Sequence, residues 1–213
     1  MSETSEDAPV KLYYDCLSVA RRTSQKIHHV NEHDKDALVH HLIKTNEYTR
    51  VIVVIKTKRE ADVLAEFLQG HEIKALCLHS NVSAKEQKSA LDSYTKNETD
   101  VLIMTDMILQ AQTFESIEHM ISYNIPLEPS FYYERLSALE EKGEGIALVS
   151  EEEEHLMYAI EVAMKVEIVQ VELTDFKASK KPEAKEKAKK DKSKKPRHKK
   201  NKSKKQTKKK EEE

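Results

Sequence analysis

Five consecutive β-branched residues at positions 51–55 (VIVVI) constrain the fold of this 213-residue sequence more than any other feature. A strand with one face in water alternates apolar and polar side chains, whereas this run is apolar on both faces. Such runs are typical of central strands in parallel sheets, which helices cover on both sides. Residues 101–105 (VLIMT) form a second run without polar alternation. The sequence therefore predicts an α/β domain with several parallel strands.

Helix-start signals alternate with the strand patterns. Capping boxes, in which a Ser or Thr and a Glu three residues later cap each other's backbone amides, predict helix starts after Thr57, Ser83 and Ser150. Gly70 is predicted to end the first of these helices in the left-handed conformation, and Ser130 to cap a helix that runs to Glu141. The other predicted strands are 26–31, 75–78, 119–123, 146–149 and 167–171.

This alternation predicts a parallel sheet with helices on both faces. In such sheets, ligands bind beyond the carboxyl ends of the strands. The candidate functional loops are therefore those that follow residues 55, 78, 105 and 123, together with the start of the helix at Ser130.

Charge divides the chain into two parts. Residues 177–210 hold 19 basic and 3 acidic side chains, a net charge of +16, whereas residues 1–176 carry −15. A segment with almost no apolar side chains cannot offset the entropy of ordering it. We predict a flexible leader at 1–20, a folded domain at 21–176 and a disordered Lys-rich tail at 177–213. The tail is predicted to bind RNA phosphates through Lys194, Lys195, Arg197, Lys199, Lys200, Lys204 and Lys205.

Several classes of function are excluded by residue usage. The chain has three glycines, and their spacing permits neither a P-loop nor a dinucleotide-binding turn. No apolar stretch approaches the roughly 18 residues of a membrane span, and the acidic N-terminus has no signal-peptide pattern, so a cytoplasmic protein without a membrane partner is predicted. Cys16, Cys77 and the histidine pairs lack zinc-site spacing, so neither a metal nor a cofactor is predicted.

The candidate loops carry segments that resemble the C-terminal (second RecA-like) domain of DEAD-box RNA helicases. Residues 51–62 resemble motif IV and its following helix, and 101–106 resemble the start of motif V. Residues 116–126 (SIEHMISYNIP) are similar to the family's V-x-x-V-I-N-Y-D-x-P, and 78–86 and 145–149 match two further segments. The order and spacing hold from about Lys26 to Val169, which implies a RecA-like fold.

The chemistry of the family is only partly retained. Its motif VI, HRIGRTGR, aligns with residues 134–141, where Arg135 remains but the two later arginines fall on Ala138 and Glu141. An arginine finger contributes roughly 10³ to 10⁵ in rate in related systems. In motif V, the Arg, Gly and Asp become Gln110, Ala111 and Thr113. The P-loop and the DEAD carboxylates of the first RecA-like domain have no counterpart in the sequence, so no catalytic residue is predicted.

Three residues are candidate remnants of an RNA site. Thr57 is predicted first as a helix N-cap and second as a phosphate contact, as the resemblance implies. Thr105 ends a strand, where a structural turn and an RNA contact are both open. Arg135 is predicted to form either a surface ion pair or a phosphate contact.

These observations predict a stand-alone, degenerate helicase C-terminal domain with a non-catalytic function. It would bind RNA or a ribonucleoprotein, and its basic tail would supply non-specific affinity. Two alternatives remain open. The chain could be the C-terminal half of a split ATP-dependent helicase that acts with a separate first domain, or a protein-interaction scaffold that uses no nucleic acid.

Overall fold

A computed structural model describes residues 16–114, 117–173, 175–176 and 179. The helices are α1 (Cys16–Arg22), α2 (Lys35–Thr45), α3 (Lys58–Gly70), α4 (Ala84–Thr95), α5 (Asp106–Ala111), α6 (Pro129–Ser137) and α7 (Glu154–Met164). The strands are β1 (Ser24–His29), β2 (Val51–Val54), β3 (Ala75–Leu78), β4 (Val101–Met104), β5 (Ile117–Ser122), β6 (Leu139–Val149) and β7 (Val169–Gln170). Short 3-10 turns precede α2 and α7.

The seven described strands form one sheet in the order β3-β4-β2-β5-β6-β1-β7, and every pairing is parallel. The predicted central strand, β2, lies between β4 and β5. All four of its residues are fully buried. The predicted α/β class and RecA-like parallel sheet are confirmed.

Both faces of the sheet are covered, as the apolar runs require. Ile52 and Val54 belong to a core shared with helices α1, α4, α5, α6 and α7. Val51, Val53 and Ile55 belong to a second core shared with α2 and α3. Because alternate residues of a strand point to opposite faces, the unbroken run supplies both cores at once.

Two of the three predicted capping boxes form, at Ser83 and Ser150. Only half of the third is present, because the Thr57 hydroxyl accepts a hydrogen bond from the Glu60 amide while the Glu60 carboxylate accepts from the Thr57 hydroxyl. The prediction for Gly70 is wrong, because this glycine remains inside α3 and Glu72 is the residue with positive φ, at 63°. The chain turns there through hydrogen bonds from the His71 and Ile73 amides to the Leu68 carbonyl, so no glycine is needed.

The predicted helix from Ser130 to Glu141 is too long. Helix α6 ends at Ser137, and Leu139 already pairs with Ile117 in the sheet. Two glycines let the backbone of β6 enter this crowded position. A Cβ at Gly143 would lie 3.0 Å from the Ile117 carbonyl oxygen, and one at Gly145 would lie 2.6 Å from Leu136 Cδ2. Sheet pairing therefore replaces the last predicted helical turn.

The predicted domain boundaries at 20/21 and 176/177 stay predictions, and described residues on the outer side of each one are packed. Val19 on α1 is fully buried, and residues 1–15 lie outside the described part. Phe176 packs on His41 with ring centroids 5.6 Å apart, and the Ser179 amide and hydroxyl donate to Asp34. Apart from Ser179, the predicted tail at 177–213 lies outside the described residues. Among the described helices, none is long and apolar enough to cross a bilayer.

A polar cluster joins β1, β5 and β6 on one face of the sheet. Glu144 accepts hydrogen bonds from Lys26 Nζ at 2.5 Å and from the Tyr48 hydroxyl at 2.6 Å, and the Tyr48 ring stacks on His119 at 4.0 Å. Burial raises the pKa of the Glu144 carboxyl, but the hydrogen bonds outweigh burial and hold this pKa below its ordinary value. The carboxylate therefore favours the folded state at neutral pH.

Candidate functional site at the carboxyl edge of the sheet

The strand ends bring the candidate residues to one edge of the sheet. Val54 is in register with Met104 and with Ser122, and Met104 is in register with Leu78. The residues that follow these positions therefore lie side by side along the edge. They are Thr57, His79, Thr105, Asp106, Tyr123 and Asn124.

Thr57 has the predicted structural role. Its hydroxyl accepts from the Glu60 amide at 3.2 Å and donates to the Glu60 carboxylate at 2.7 Å, and the residue is exposed. The groove beside it is lined by Glu32, Asp36 and Glu60, with Arg59 as the basic member. Glu32 is paired with Lys35. The two other carboxylates against one guanidinium make this groove unfavourable for a phosphate. An RNA contact by Thr57 stays a prediction.

Thr105 caps helix α5 with its backbone. Its carbonyl accepts from the Ile108 and Leu109 amides, and the side chain makes no capping hydrogen bond and is half-buried. The hydroxyl is thus placed beside the strand end without a capping task. An RNA contact at Thr105 also stays a prediction.

Arg135 is buried, so the ion pair that it forms is internal and not at the surface as predicted. Its contact with an RNA phosphate stays a prediction. Its side chain is 2% exposed, and Nε and Nη2 donate to the two Asp106 carboxylate oxygens at 2.7 and 2.8 Å. Nη1 donates to the Asn124 carbonyl at 2.8 Å. A two-pronged pair of this kind is the strongest geometry available to arginine. The guanidinium is committed to joining α5 and α6 inside the domain and is not presented to solvent.

The neighbouring positions lack the charge that the helicase resemblance implies. Glu134 accepts a hydrogen bond from Gln110, and Ala138 lines the groove beside them. Glu141 lies on β6, away from the helical arrangement that the sequence predicted. The groove lined by these described residues therefore carries a carboxylate, a neutral amide and a methyl group.

A buried lysine that the sequence analysis missed organises the other end of the edge. Lys35 is fully buried, and its Nζ lies 2.6 Å from Glu153 Oε2 and 2.8 Å from Glu32 Oε2. Glu153 also accepts from the Ile125 amide at 3.0 Å. The Ser150 capping box was the available signal for Glu153, but nothing local in the sequence pairs it with Lys35.

A second missed cluster lies where α3 meets the edge strand β3. Asp62, Cys77 and His79 have ligand atoms within 4.8 Å of one another. His79 Nε2 is 2.9 Å from Asp62 Oδ1, and Cys77 Sγ is 3.3 Å from the same oxygen. Burial, reinforced by the Asp62 carboxylate, raises the pKa of the Cys77 thiol to about 11. The usable signal was the i, i+2 spacing of Cys77 and His79, which puts both on one face of a strand.

The two histidine pairs are held by protein groups. His28 Nδ1 lies 2.9 Å from the Val171 carbonyl oxygen, and burial lowers its pKa. His40 packs against His71 with ring centroids 4.7 Å apart, and burial likewise lowers its pKa. These contacts account for both residues as packing elements. The predicted RNA-binding residues of the tail, from Lys194 to Lys205, lie outside the described residues.

Comparisons with known proteins agree with the fold. Residues 34–138 match the family described as helicase conserved C-terminal domain. The chain is 27% identical over 169 residues to the DEAD-box ATP-dependent RNA helicase RhpA of Helicobacter pylori, covering 76% of this chain and 34% of that protein. It is 25% identical over 147 residues to the ATP-dependent RNA helicase RhlB of Xanthomonas axonopodis, covering 67% and 26%. The chain thus spans about a third of these relatives' length or less.

Solved structures give the same result. A DEAD box protein from Methanococcus jannaschii superposes with a TM-score of 0.67 at 25% identity, covering 72% of this chain and 43% of that one. The Escherichia coli DEAD-box protein SrmB, solved with the regulator of ribonuclease activity A, has the same fold, with a TM-score of 0.68 at 21% identity, covering 75% and 98%. The strand order, the matched family and these relatives together show that the chain contains a helicase C-terminal domain of the DEAD-box RNA helicase family.

Proposed function

We propose that this chain is a non-catalytic accessory protein that binds RNA or a ribonucleoprotein, and that its Lys-rich tail supplies most of the affinity. The observation that carries the proposal is that Arg135, the one arginine of the family motif that remains, is paired with Asp106 inside the domain, while Ala138 and Glu141 stand at the two later arginine positions. In related systems an arginine contributes to phosphoryl transfer by placing positive charge against the transferring phosphate. Here the resemblance implies that such an arginine would lie at one of the two later positions, which hold no guanidinium.

The surrounding charges support a non-catalytic role. Glu134 is exposed at the groove beside Ala138, so a carboxylate faces the place where the resemblance implies arginines. A carboxylate repels nucleotide phosphates, and the acidic groove at Thr57 does the same. The edge of the sheet that binds ligands in this class of fold is therefore poorly suited to an ATP phosphate chain.

The tail has the opposite character. Residues 177–210 carry +16, while residues 1–176 carry −15. Lysines neutralise phosphates and release counterions whatever the base sequence. The tail has no aromatic side chain after Phe176 on which bases could stack, so weak sequence preference is expected.

A salt-dependent RNA titration tests the assignment. If the tail engages about six phosphates of a single strand, log K should fall with log salt at a slope of roughly −4. Three proteins are compared: the full chain, a full-length variant with Lys194, Lys195, Arg197, Lys199, Lys200, Lys204 and Lys205 changed to Gln, and a chain ending at Lys180. The cut at Lys180 keeps Ser179 on Asp34, so the domain retains that contact.

The proposal expects a shallower slope and weaker binding in the Gln variant, and loss of measurable binding in the shortened chain. Equal RNA affinity of the shortened and full chains would refute the tail assignment. Thr57 and Thr105 would then be the leading contact residues.

A second candidate function is that of the C-terminal half of a split ATP-dependent RNA helicase. The match of residues 34–138 to a helicase conserved C-terminal domain favours it. This alternative expects RNA-stimulated ATP hydrolysis when a separately produced first helicase domain is added. The scaffold interpretation would instead be favoured if this chain captured a protein partner after RNase treatment and itself showed no affinity for RNA.

A further inference from the structure

The cluster at the edge strand has the composition of a metal site. Cys77 and His79 project from the end of β3 on one face, and Asp62 projects toward them from α3. His79 is buried at 5% exposure, while the Asp62 side chain is 53% exposed. One imidazole, one thiol and one carboxylate therefore converge at the border between the core and solvent.

The distances fit one small cation. Bond lengths of zinc to sulfur, nitrogen and oxygen place tetrahedral ligand atoms about 3.4 to 3.6 Å apart. The three observed separations are 3.3 Å for Sγ to Oδ1, 4.0 Å for Sγ to Nε2 and 2.9 Å for Nε2 to Oδ1. Each differs from the tetrahedral value by roughly half an ångström or less. Rotation of the exposed Asp62 side chain adjusts the two separations that involve Oδ1, and rotation of the half-buried Cys77 side chain shortens the separation of Sγ from Nε2.

We propose that Asp62, Cys77 and His79 form a Zn²⁺ site, with water in the fourth position. Zinc accepts sulfur, nitrogen and oxygen ligands together, whereas Mg²⁺ and Ca²⁺ require oxygen ligands. Three protein ligands and one open position are the arrangement of a site that remains accessible to solvent. The exposure of Asp62 gives the ion its route of entry.

Proton balance defines the cost of binding. The Cys77 thiol, which donates to Asp62, releases its proton to solvent and binds as thiolate. His79 loses its proton on Nε2 and is protonated on Nδ1 instead. Nδ1 then no longer accepts a hydrogen bond, so the backbone N–H of Asn81, whose nitrogen lies 3.3 Å from Nδ1, must turn away. The ion then carries a thiolate and a carboxylate, which neutralise its two positive charges.

Spectroscopic titration of the full chain with Co²⁺, followed by displacement with Zn²⁺, tests the site. The proposal expects one ion per chain, with thiolate-to-cobalt absorption in the near ultraviolet and tetrahedral bands in the visible. Saturating Zn²⁺ should also raise the thermal midpoint by about 5 °C or more, and Mg²⁺ should not.

Matched variants separate this site from adventitious binding. Cys77→Ser should abolish the thiolate band, and Asp62→Asn should weaken Zn²⁺ affinity at least tenfold. Cys16→Ser and Asp92→Asn are the controls and should leave both readouts unchanged. A thiolate band that persists in Cys77→Ser, an unchanged affinity in Asp62→Asn, or no binding at all by the parent chain would overturn the proposal.

Discussion

Replacing Asp106 by Asn tests whether the buried arginine is a structural group. The substitution keeps the size of the side chain but removes the charge that faces Arg135. An amide offers one acceptor oxygen in place of two, and its NH₂ group faces guanidinium donors. With 2% exposure, the guanidinium cannot turn into water to replace the lost carboxylate.

The cost follows from this burial. Removing one partner of a buried ion pair costs about 3 to 5 kcal/mol, because the remaining charge is uncompensated. The Asp106 side chain is 26% exposed, so water partly replaces the lost carboxylate. We therefore expect a loss of about 3 kcal/mol, or a fall in Tm of roughly 6 to 12 °C.

Urea unfolding followed by far-ultraviolet circular dichroism measures this loss, since the chain contains no Trp. Asp92→Asn, on the exposed face of α4, is the matched control and should change stability by less than about 0.5 kcal/mol. The double variant Asp106→Asn with Arg135→Met should be no less stable than Asp106→Asn alone, because it removes the unpaired charge. A loss below about 1 kcal/mol in Asp106→Asn would refute the reasoning.

Three further outcomes are expected. The pKa of Glu144 is lower in the folded than in the unfolded chain, so its stabilisation is present above the unfolded pKa of roughly 4.3 and is lost as pH falls through the folded pKa. Glu144→Gln should therefore weaken the fall of stability below about pH 4.3, whereas the exposed Glu118→Gln should not. Glu153→Gln should cost about 2 kcal/mol in urea unfolding because Lys35 keeps one other carboxylate, whereas exposed Glu152→Gln should cost almost nothing. The purified chain should not hydrolyse ATP with or without RNA, and RNA-stimulated turnover would contradict the non-catalytic assignment.

Local patterns in the sequence were sufficient for the architecture. The 51–55 run predicts burial on two faces, and the structure places its alternate residues in two separate cores. The capping boxes at Ser83 and Ser150 and the N-cap at Thr57 form because each needs residues only three positions apart. The positions of the helicase-like segments were also predictable, because the strand and helix patterns that place them at strand ends repeat within a few residues.

Contacts between segments that are distant in the sequence could be identified only from the tertiary structure. Arg135 and Asp106 are 29 positions apart, and their pairing depends on α5 and α6 meeting beside the same strand end. Residues 139–145, which precede the predicted strand 146–149, join β6 because β5 and β1 offer them hydrogen-bond partners, which no local propensity records. Asp62, Cys77 and His79 converge because α3 packs on β3. Fold class depends on periodicity along the chain, whereas the charge presented by a site depends on which partners the packing supplies.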